Sequence, residues 1–141
     1  MLTWGIKASV DELVDVAPEE VTGLDKHGIL IEDTVKKSWS KGDVMELKLN
    51  KGFEFVPGCA SSITLEPDEG DTKRPASVVI DEREMTFTLP DGLQGQEDFE
   101  IRGIEIDAAT AEVGERATIS IKLKDLDKVT VDVAQVIAPR V

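Results

Sequence analysis

Residue types that carry out catalysis or bind metal ions are scarce in this sequence of 141 residues, which contains one histidine, His27, and one cysteine, Cys59. A Ser-His-Asp triad would have to use His27, yet no GxSxG turn is present, and a zinc site needs three or four converging ligands. No Lys, Arg or His lies close to Cys59 in the sequence to activate its thiol. We therefore expect a solvated loop histidine, a small buried cysteine, no catalytic residue and no cofactor. An enzyme would need a concave pocket that gathers several carboxylates around His27.

The loop EPDEGDTKRP, from Glu66 to Pro75, is the one candidate for a metal site. Three carboxylates surround Gly70 there, those of Asp68, Glu69 and Asp71. Hard oxygen ligands on a glycine-bearing turn are what Ca²⁺ uses, but the spacing misses the EF-hand register. Lys73 and Arg74 can neutralise the loop without a cation, so we expect a solvated turn and no bound metal.

The two tryptophans raise the possibility of carbohydrate binding, because sugar-binding modules stack pyranose rings on exposed aromatic side chains. The number of aromatic side chains is small, since aromatic residues make up 4% of the chain and tyrosine is absent. Trp39 lies beside the turn at Lys41 and Gly42. Its side chain could be partly exposed there, or it could cover the end of the sandwich core. Trp39, rather than Trp4, is therefore the ligand-binding candidate.

The charge of the sequence limits the partners it can bind. Lys and Arg number 16 against 29 Asp and Glu, so the formal net charge is −13 and the pI about 4.4. This balance repels phosphate backbones, and we expect no binding to nucleic acid. No run approaches the roughly 20 apolar residues of a membrane-spanning helix, so we expect no membrane insertion.

The length of the chain fits one domain, because a chain of this size buries roughly 68–70% of its unfolded surface. The first residues, MLTWGIKASV, have neither a basic leader nor an apolar core followed by a cleavage site. We expect a single domain, residues 1–141, that is a fragment of a larger exported protein. The single cysteine excludes an intrachain disulfide framework and leaves the compartment open.

Alternation of apolar and polar residues dominates the sequence and predicts half-buried strands. In MELKL, residues Met45, Leu47 and Leu49 share one face, and MTFTL (85–89) and ISIKL (119–123) follow the same pattern. Five further segments also indicate strands: GILIED (28–33), SSITLE (61–66), ASVVID (76–81), FEIRGIEID (99–107) and KVTVDVAQVI (128–137).

Three local features predict irregularities in these strands. The apolar alternation changes phase at Gly103 and again between Val133 and Val136, which indicates a bulge or bend at each place. The segment DERE, Asp81 to Glu84, predicts a tight hairpin.

One helix candidate, SVDELVDVAPEEV (9–21), is interrupted by a proline, and its LVDVA portion also fits an extended strand.

Many short strands with turn signals between them predict an all-β fold, an antiparallel Greek-key β-sandwich of about 8–9 strands. A closed barrel is the alternative architecture. Open sheet edges could pair with a partner or a second copy, so the oligomeric state stays open.

The order of these segments resembles that of β-sandwich modules in exported Gram-positive surface proteins, found beside copper-amine-oxidase N-terminal-like or S-layer-homology domains. The resemblance covers residues 28–125 and departs from the family pattern at Asn50, where a proline is usual. The matching positions are Ile29, Ile31, Glu32, Lys41, Gly42, Asp43, Leu47, Leu49, Gly52, Phe53, Asp81, Thr86, Phe87, Leu89, Ile101, Gly103, Ile104 and Ile106.

The resemblance implies an immunoglobulin-like or cohesin-like sandwich, located outside the cell or on its surface, with no catalytic residues to transfer. It implies a spacer, assembly or adhesion unit that contacts a protein or a cell-wall polysaccharide. A carbohydrate-binding module that uses an exposed Trp39 is the alternative function.

Overall fold

Short β-strands make up most of the residues that the structure describes. A computed structural model describes residues 6–10, 13–18, 20–23, 28–33, 43–67, 72–90, 98–123 and 128–138. Within these residues there are thirteen strands and a 3₁₀ helix at Pro57–Ser62. The strands are β1 Ile6–Ser9, β2 Val14–Val16, β3 Val21–Gly23, β4 Ile29–Asp33, β5 Val44–Leu49, β6 Glu54–Phe55, β7 Thr64–Pro67, β8 Ala76–Asp81, β9 Glu84–Thr88, β10 Phe99–Arg102, β11 Glu105–Asp107, β12 Arg116–Leu123 and β13 Val129–Val136.

The strands form three sheets that share one apolar core. The largest has the order β2-β13-β12-β5-β9-β8, and the others are β1-β4-β10-β7 and β3-β11-β6. All neighbouring strands pair antiparallel except β2 and β13, which are parallel. The predicted all-β, antiparallel sandwich class is confirmed.

Alternation along the central strands of the six-stranded sheet sets its two faces. On β5, residues Met45, Leu47 and Leu49 are buried while the residues between them are exposed. The apolar residues of β9 and β12 are buried in the same way. Each of the three patterns therefore predicted both the strand and the face that packs against the core.

The N-terminal segment, which overlaps the helix candidate, is largely extended in its described residues. It contributes β1, β2 and β3, one strand to each of the three sheets. Backbone hydrogen bonds hold the connections, since Ile137 N donates to Val16 O at 2.9 Å and Ala108 N donates to Glu20 O at 3.0 Å. These long-range partners outweigh the local helical spacing.

Gly103 separates β10 from β11, as the change of phase predicted. Its φ is 91°, in the left-handed region that favours glycine. The bend turns both halves of the segment toward the core, because Phe99 and Ile101 before it and Ile104 and Ile106 after it are all fully buried. The predicted bend is confirmed, and it joins the two smaller sheets.

The second predicted irregularity lies in β13. Ala117 pairs with Ala134 whereas Thr118 pairs with Asp132, so Val133 is an extra residue on its strand. Val133 and Ala134 are consequently both buried. The predicted slip is confirmed as a β-bulge.

The segment DERE forms the predicted tight hairpin. Asp81 pairs with Glu84, and Glu82 between them has a φ of 53°. The turn also serves neighbouring strands, since its Glu82 O accepts a hydrogen bond from Phe55 N and its Arg83 O accepts one from Leu49 N, each at 2.8 Å.

Among the described residues, the largest buried side chains are those of Phe53, Phe55, Phe87 and Phe99. Cys59, in the 3₁₀ helix, is also buried and is 1% exposed, which confirms the expectation of a small buried side chain. Its thiol lies 4.0 Å from the carbonyl oxygen of Glu105. It therefore packs inside the sandwich.

Asn50, which stands where the family pattern has proline, links the end of β5 to β12. Its Nδ2 donates to Arg116 O and its Oδ1 accepts from Thr118 N, each at 2.9 Å. Its backbone N also donates to Thr118 O at 3.2 Å. A proline here would remove the backbone donor, and the side chain extends the pairing of β5 with β12 beyond Leu49.

We expect Asn50→Ala to lower the free energy of unfolding by roughly 1 kcal/mol, because two hydrogen bonds at an exposed position are lost. Asn50→Asp should also cost stability, since a carboxylate can still accept from Thr118 N but cannot donate to the carbonyl of Arg116 and is repelled by it. Urea denaturation of both variants at 25 °C would measure this. If Asn50→Asp left the free energy of unfolding unchanged, the role assigned to the Asn50 side chain would be contradicted.

Candidate binding surface

The outer face of the six-stranded sheet presents charged and hydroxyl side chains in paired positions. Lys48 on β5 lies opposite Glu84 on β9 and opposite Ser120 on β12. Two residues earlier on β5, and on the same face, Glu46 lies opposite Lys122. Lys48 Nζ lies 3.7 Å from a carboxylate oxygen of Glu84. Opposite charges in neighbouring strands stabilise this register modestly.

A groove of about 180 Å³ runs across this face, which we name the central groove. It is lined by the side chains of Glu46, Lys48, Glu84, Thr86, Ser120, Lys122 and Lys128, over Leu47. Because Leu47 is buried with 1% exposure, the polar residues supply the accessible chemistry. The groove can offer ammonium, carboxylate and hydroxyl groups to a ligand.

Among the residues that the structure describes, those lining the central groove include no histidine, cysteine or aromatic side chain. In the part of the chain that the structure describes, no group of three or more His, Cys, Asp or Glu residues could hold a metal ion. The groove is therefore suited to reversible polar contacts rather than to sugar stacking.

The outer face of the four-stranded sheet has a different organisation. Glu66 and Glu100 lie directly opposite each other on β7 and β10. The guanidinium of Arg102 contacts both carboxylates, and its Nη2 lies 2.9 Å from Glu100 Oε2. Arg102 relieves repulsion between two like charges, so this cluster stabilises the sheet.

A second groove, of about 430 Å³, lies between β2, β3 and the end of β13. It is larger than the central groove, and its charged side chains are the acidic Asp15 and Glu20. Val21, on its rim, is 54% exposed. Its described lining therefore presents two like charges and no cation.

The sequence-predicted candidates lie mostly outside the described residues. Trp4, Trp39, His27 and the acidic centre of the Glu66–Pro75 loop (68–71) are among those the structure does not describe. The described part of the loop is fixed to its surroundings, because Lys73 exchanges two backbone hydrogen bonds with Leu65 at 2.8 Å and Arg74 Nη1 donates to Ser61 O. The expectation of a solvated, metal-free turn stays a prediction.

The residues of the central groove are not among the site residues predicted from the sequence. Its signal was present in the outward positions of the predicted strands, which carry Glu46 and Lys48 on β5 and Ser120 and Lys122 on β12. Only the pairing of β5 with both β9 and β12 shows that these positions adjoin.

Within the described residues, no helix has the length and apolar character to cross a membrane.

No protein-family model matches the chain, and no curated protein matches it. Among solved structures, it is similar to ACE19, the collagen-binding subdomain of the Enterococcus faecalis surface protein ACE, with a TM-score of 0.50 and 12% identity. That match covers 93% of this chain and 97% of the other. The chain resembles a β-sandwich adhesin domain in fold. At this identity the likeness establishes the architecture alone.

Two further structures are more distant. The collagen-binding domain from a Staphylococcus aureus adhesin has a TM-score of 0.48 at 12% identity, with 94% of this chain and 98% of that one covered. AvmM, which catalyses macrocyclization in alchivemycin A biosynthesis, has a TM-score of 0.43 at 10% identity, with 97% and 92% covered. Neither is similar enough to carry an argument about function.

Proposed function

We propose that this chain is a non-catalytic, extracellular adhesion module of a bacterial surface protein, and that it contacts a protein ligand through the outer face of its six-stranded sheet. The observation that carries the proposal is the combination of an adhesin-like sandwich with a mixed-charge groove on that face. Charged and hydroxyl groups in fixed register favour a specific polar contact over a chemical reaction.

Two features support a protein ligand over a polysaccharide. ACE19, which has the similar fold, is a collagen-binding subdomain, so collagen is the first ligand to test. The described lining of the central groove also presents no aromatic side chain on which a sugar ring could stack. The carbohydrate alternative rests on Trp39, and a glycan array with Trp39→Ala would test it.

The roles of spacer and assembly unit belong to the same class of module. The resemblance to modules beside copper-amine-oxidase N-terminal-like or S-layer-homology domains supports a position within a larger cell-envelope protein. The full reading frame of the gene tests this position: a signal peptide and cell-wall repeats are expected, and an intracellular single-domain frame would contradict it.

We expect the purified chain to bind immobilised collagen, and we expect Ser120→Trp to weaken that binding at least tenfold by filling the central groove. Thr64→Trp, on the outer face of the four-stranded sheet, is the matched control and should bind as the parent chain does. Biolayer interferometry measures both dissociation constants. Failure to bind collagen or any of a panel of extracellular proteins would reject the adhesion function. Equal effects of the two variants would reject this face.

A further inference from the structure

The described lining of the central groove carries a small excess of positive charge in a strongly acidic protein. Its lining contains three lysines, Lys48, Lys122 and Lys128, against two glutamates, Glu46 and Glu84, which gives a local charge of +1. The chain as a whole has a net charge of −13. This count covers the lining residues, and the connection at 124–127 lies outside the described part of the chain.

The lysines of the groove are not equally engaged. Lys48 forms an ion pair with Glu84 across β5 and β9. The ion pairs within the described part of the chain include neither Lys122 nor Lys128. Glu46 lies opposite Lys122 in the register, and among the described lining residues no carboxylate pairs with Lys128.

Lys122 and Lys128 both line the central groove near one end of the β12–β13 pair. Ile121 pairs with Val129, Lys122 follows Ile121 on β12, and Lys128 immediately precedes Val129, the first residue of β13. Like charges at facing positions destabilise a sheet. A carboxylate bound between them would relieve this repulsion, and the hydroxyl of Ser120 on the same face could donate a further hydrogen bond.

The size of the groove and the charge of the protein restrict what this ligand can be. At about 180 Å³ the groove is smaller than the 300–1,000 Å³ of ordinary small-molecule sites, so it fits a side chain rather than a cofactor. A polyanion would be repelled by the net charge of −13. A single carboxylate on an otherwise neutral segment gains the local attraction with little long-range repulsion.

We propose that the central groove binds the carboxylate of a glutamate or aspartate side chain on an extended segment of the protein ligand. Lys122 and Lys128 hold the carboxylate, and Ser120 hydrogen-bonds to it. This inference rests on the proposed adhesion function and names the chemistry that its ligand presents.

Titration of the ¹⁵N-labelled chain with the peptide acetyl-Gly-Glu-Gly-amide, followed by amide chemical shifts, tests the proposal. We expect shifts at Ser120, Lys122 and Lys128 that are absent with acetyl-Gly-Gln-Gly-amide. The combined variant Lys122→Gln and Lys128→Gln should raise the dissociation constant at least fivefold. Lys51→Gln, at an exposed turn outside the groove, is the matched control and should leave it unchanged.

Equal responses to the two peptides, or a response that survives loss of both lysines, would overturn the proposal. Stronger binding of glucuronate than of the glutamate peptide would assign the groove to acidic sugars and overturn it as well. Collagen binding without a peptide response would reject the carboxylate and leave the adhesion function standing. A peptide response in a chain that binds no extracellular protein would reject adhesion alone.

Discussion

Replacing Gly103 by alanine is expected to lower the free energy of unfolding by about 4 kcal/mol, through two effects that add at this position. The φ of Gly103 is 91°, which an L side chain rarely adopts. A Cβ built there would lie 2.0 Å from the carbonyl oxygen of Ser62 and 2.6 Å from its carbonyl carbon. Because the obstacle is backbone, the end of the 3₁₀ helix would have to move.

Alanine substitutions at two other glycines separate the cost of the positive φ from the cost of the close approach to Ser62. Gly114 has a φ of 96° but open space around its missing Cβ, so Gly114→Ala should show the conformational cost alone, roughly 1–2 kcal/mol. Gly58 has open space and no such φ, so Gly58→Ala should be close to neutral. The expected loss of unfolding free energy is therefore largest for Gly103→Ala, smaller for Gly114→Ala and smallest for Gly58→Ala.

Urea denaturation at 25 °C, with thermal melting as a second readout, measures the series. A loss of about 4 kcal/mol corresponds to a fall in Tm of roughly 10–15 °C for a chain of this size. If Gly103→Ala and Gly114→Ala lost the same stability, close approach of Ser62 would not be the reason for glycine at the bend.

The change of phase at Gly103 shows why much of this fold could be predicted from the sequence. A strand places alternate side chains on opposite faces, so the positions of Phe99, Ile101, Ile104 and Ile106 require a bend between the second and third. The same argument located the bulge at Val133. Both are local patterns that depend on burial of one face.

The central groove could not be predicted, because its residues come from strands that are distant in the sequence. Periodicity placed Lys48 and Lys122 on outward faces, but it contains no information on which strands are neighbours. Pairing of β5 with β12 is decided by long-range packing, and Asn50 takes part in it through hydrogen bonds to β12. Trp39, the candidate from composition, lies outside the described residues.

The N-terminal strands show a related limit. The spacing of Val10 and Val14 fits a helix as well as it fits a strand, and no local signal decides between them. Val14 pairs with Ala134 on β13, and Val16 pairs with Val136. The extended form is therefore favoured by partners near the other end of the chain.

Phe55→Ala should be the most destabilising change in the core of the small sheet, with a loss of about 3–5 kcal/mol. Phe55 is 1% exposed and lies on the two-residue strand β6, opposite Ile106. Its backbone N donates to Glu82 O in the β8–β9 turn at 2.8 Å. The side chain thus fixes a strand that connects the three-stranded sheet to the edge of the six-stranded sheet.

Phe55→Leu keeps most of the apolar volume and should lose about 1–2 kcal/mol, which separates the cavity from the loss of the aromatic ring. Glu54→Ala, on the same strand, is the matched control. Glu54 lies opposite Asp107, so removal of one of two facing carboxylates should leave stability within about 0.5 kcal/mol of the parent chain or raise it slightly.

Hydrogen exchange at the amide of residue 55 distinguishes local from global loss of structure. If the side chain anchors β6, protection of this amide should fall in Phe55→Ala by more than the global decrease in stability accounts for. Amides of β12, in the centre of the six-stranded sheet, should lose protection only by the global amount. Equal losses at both places would mean that β6 unfolds only with the whole domain, and that Phe55 stabilises the sandwich without a separate role in joining its sheets.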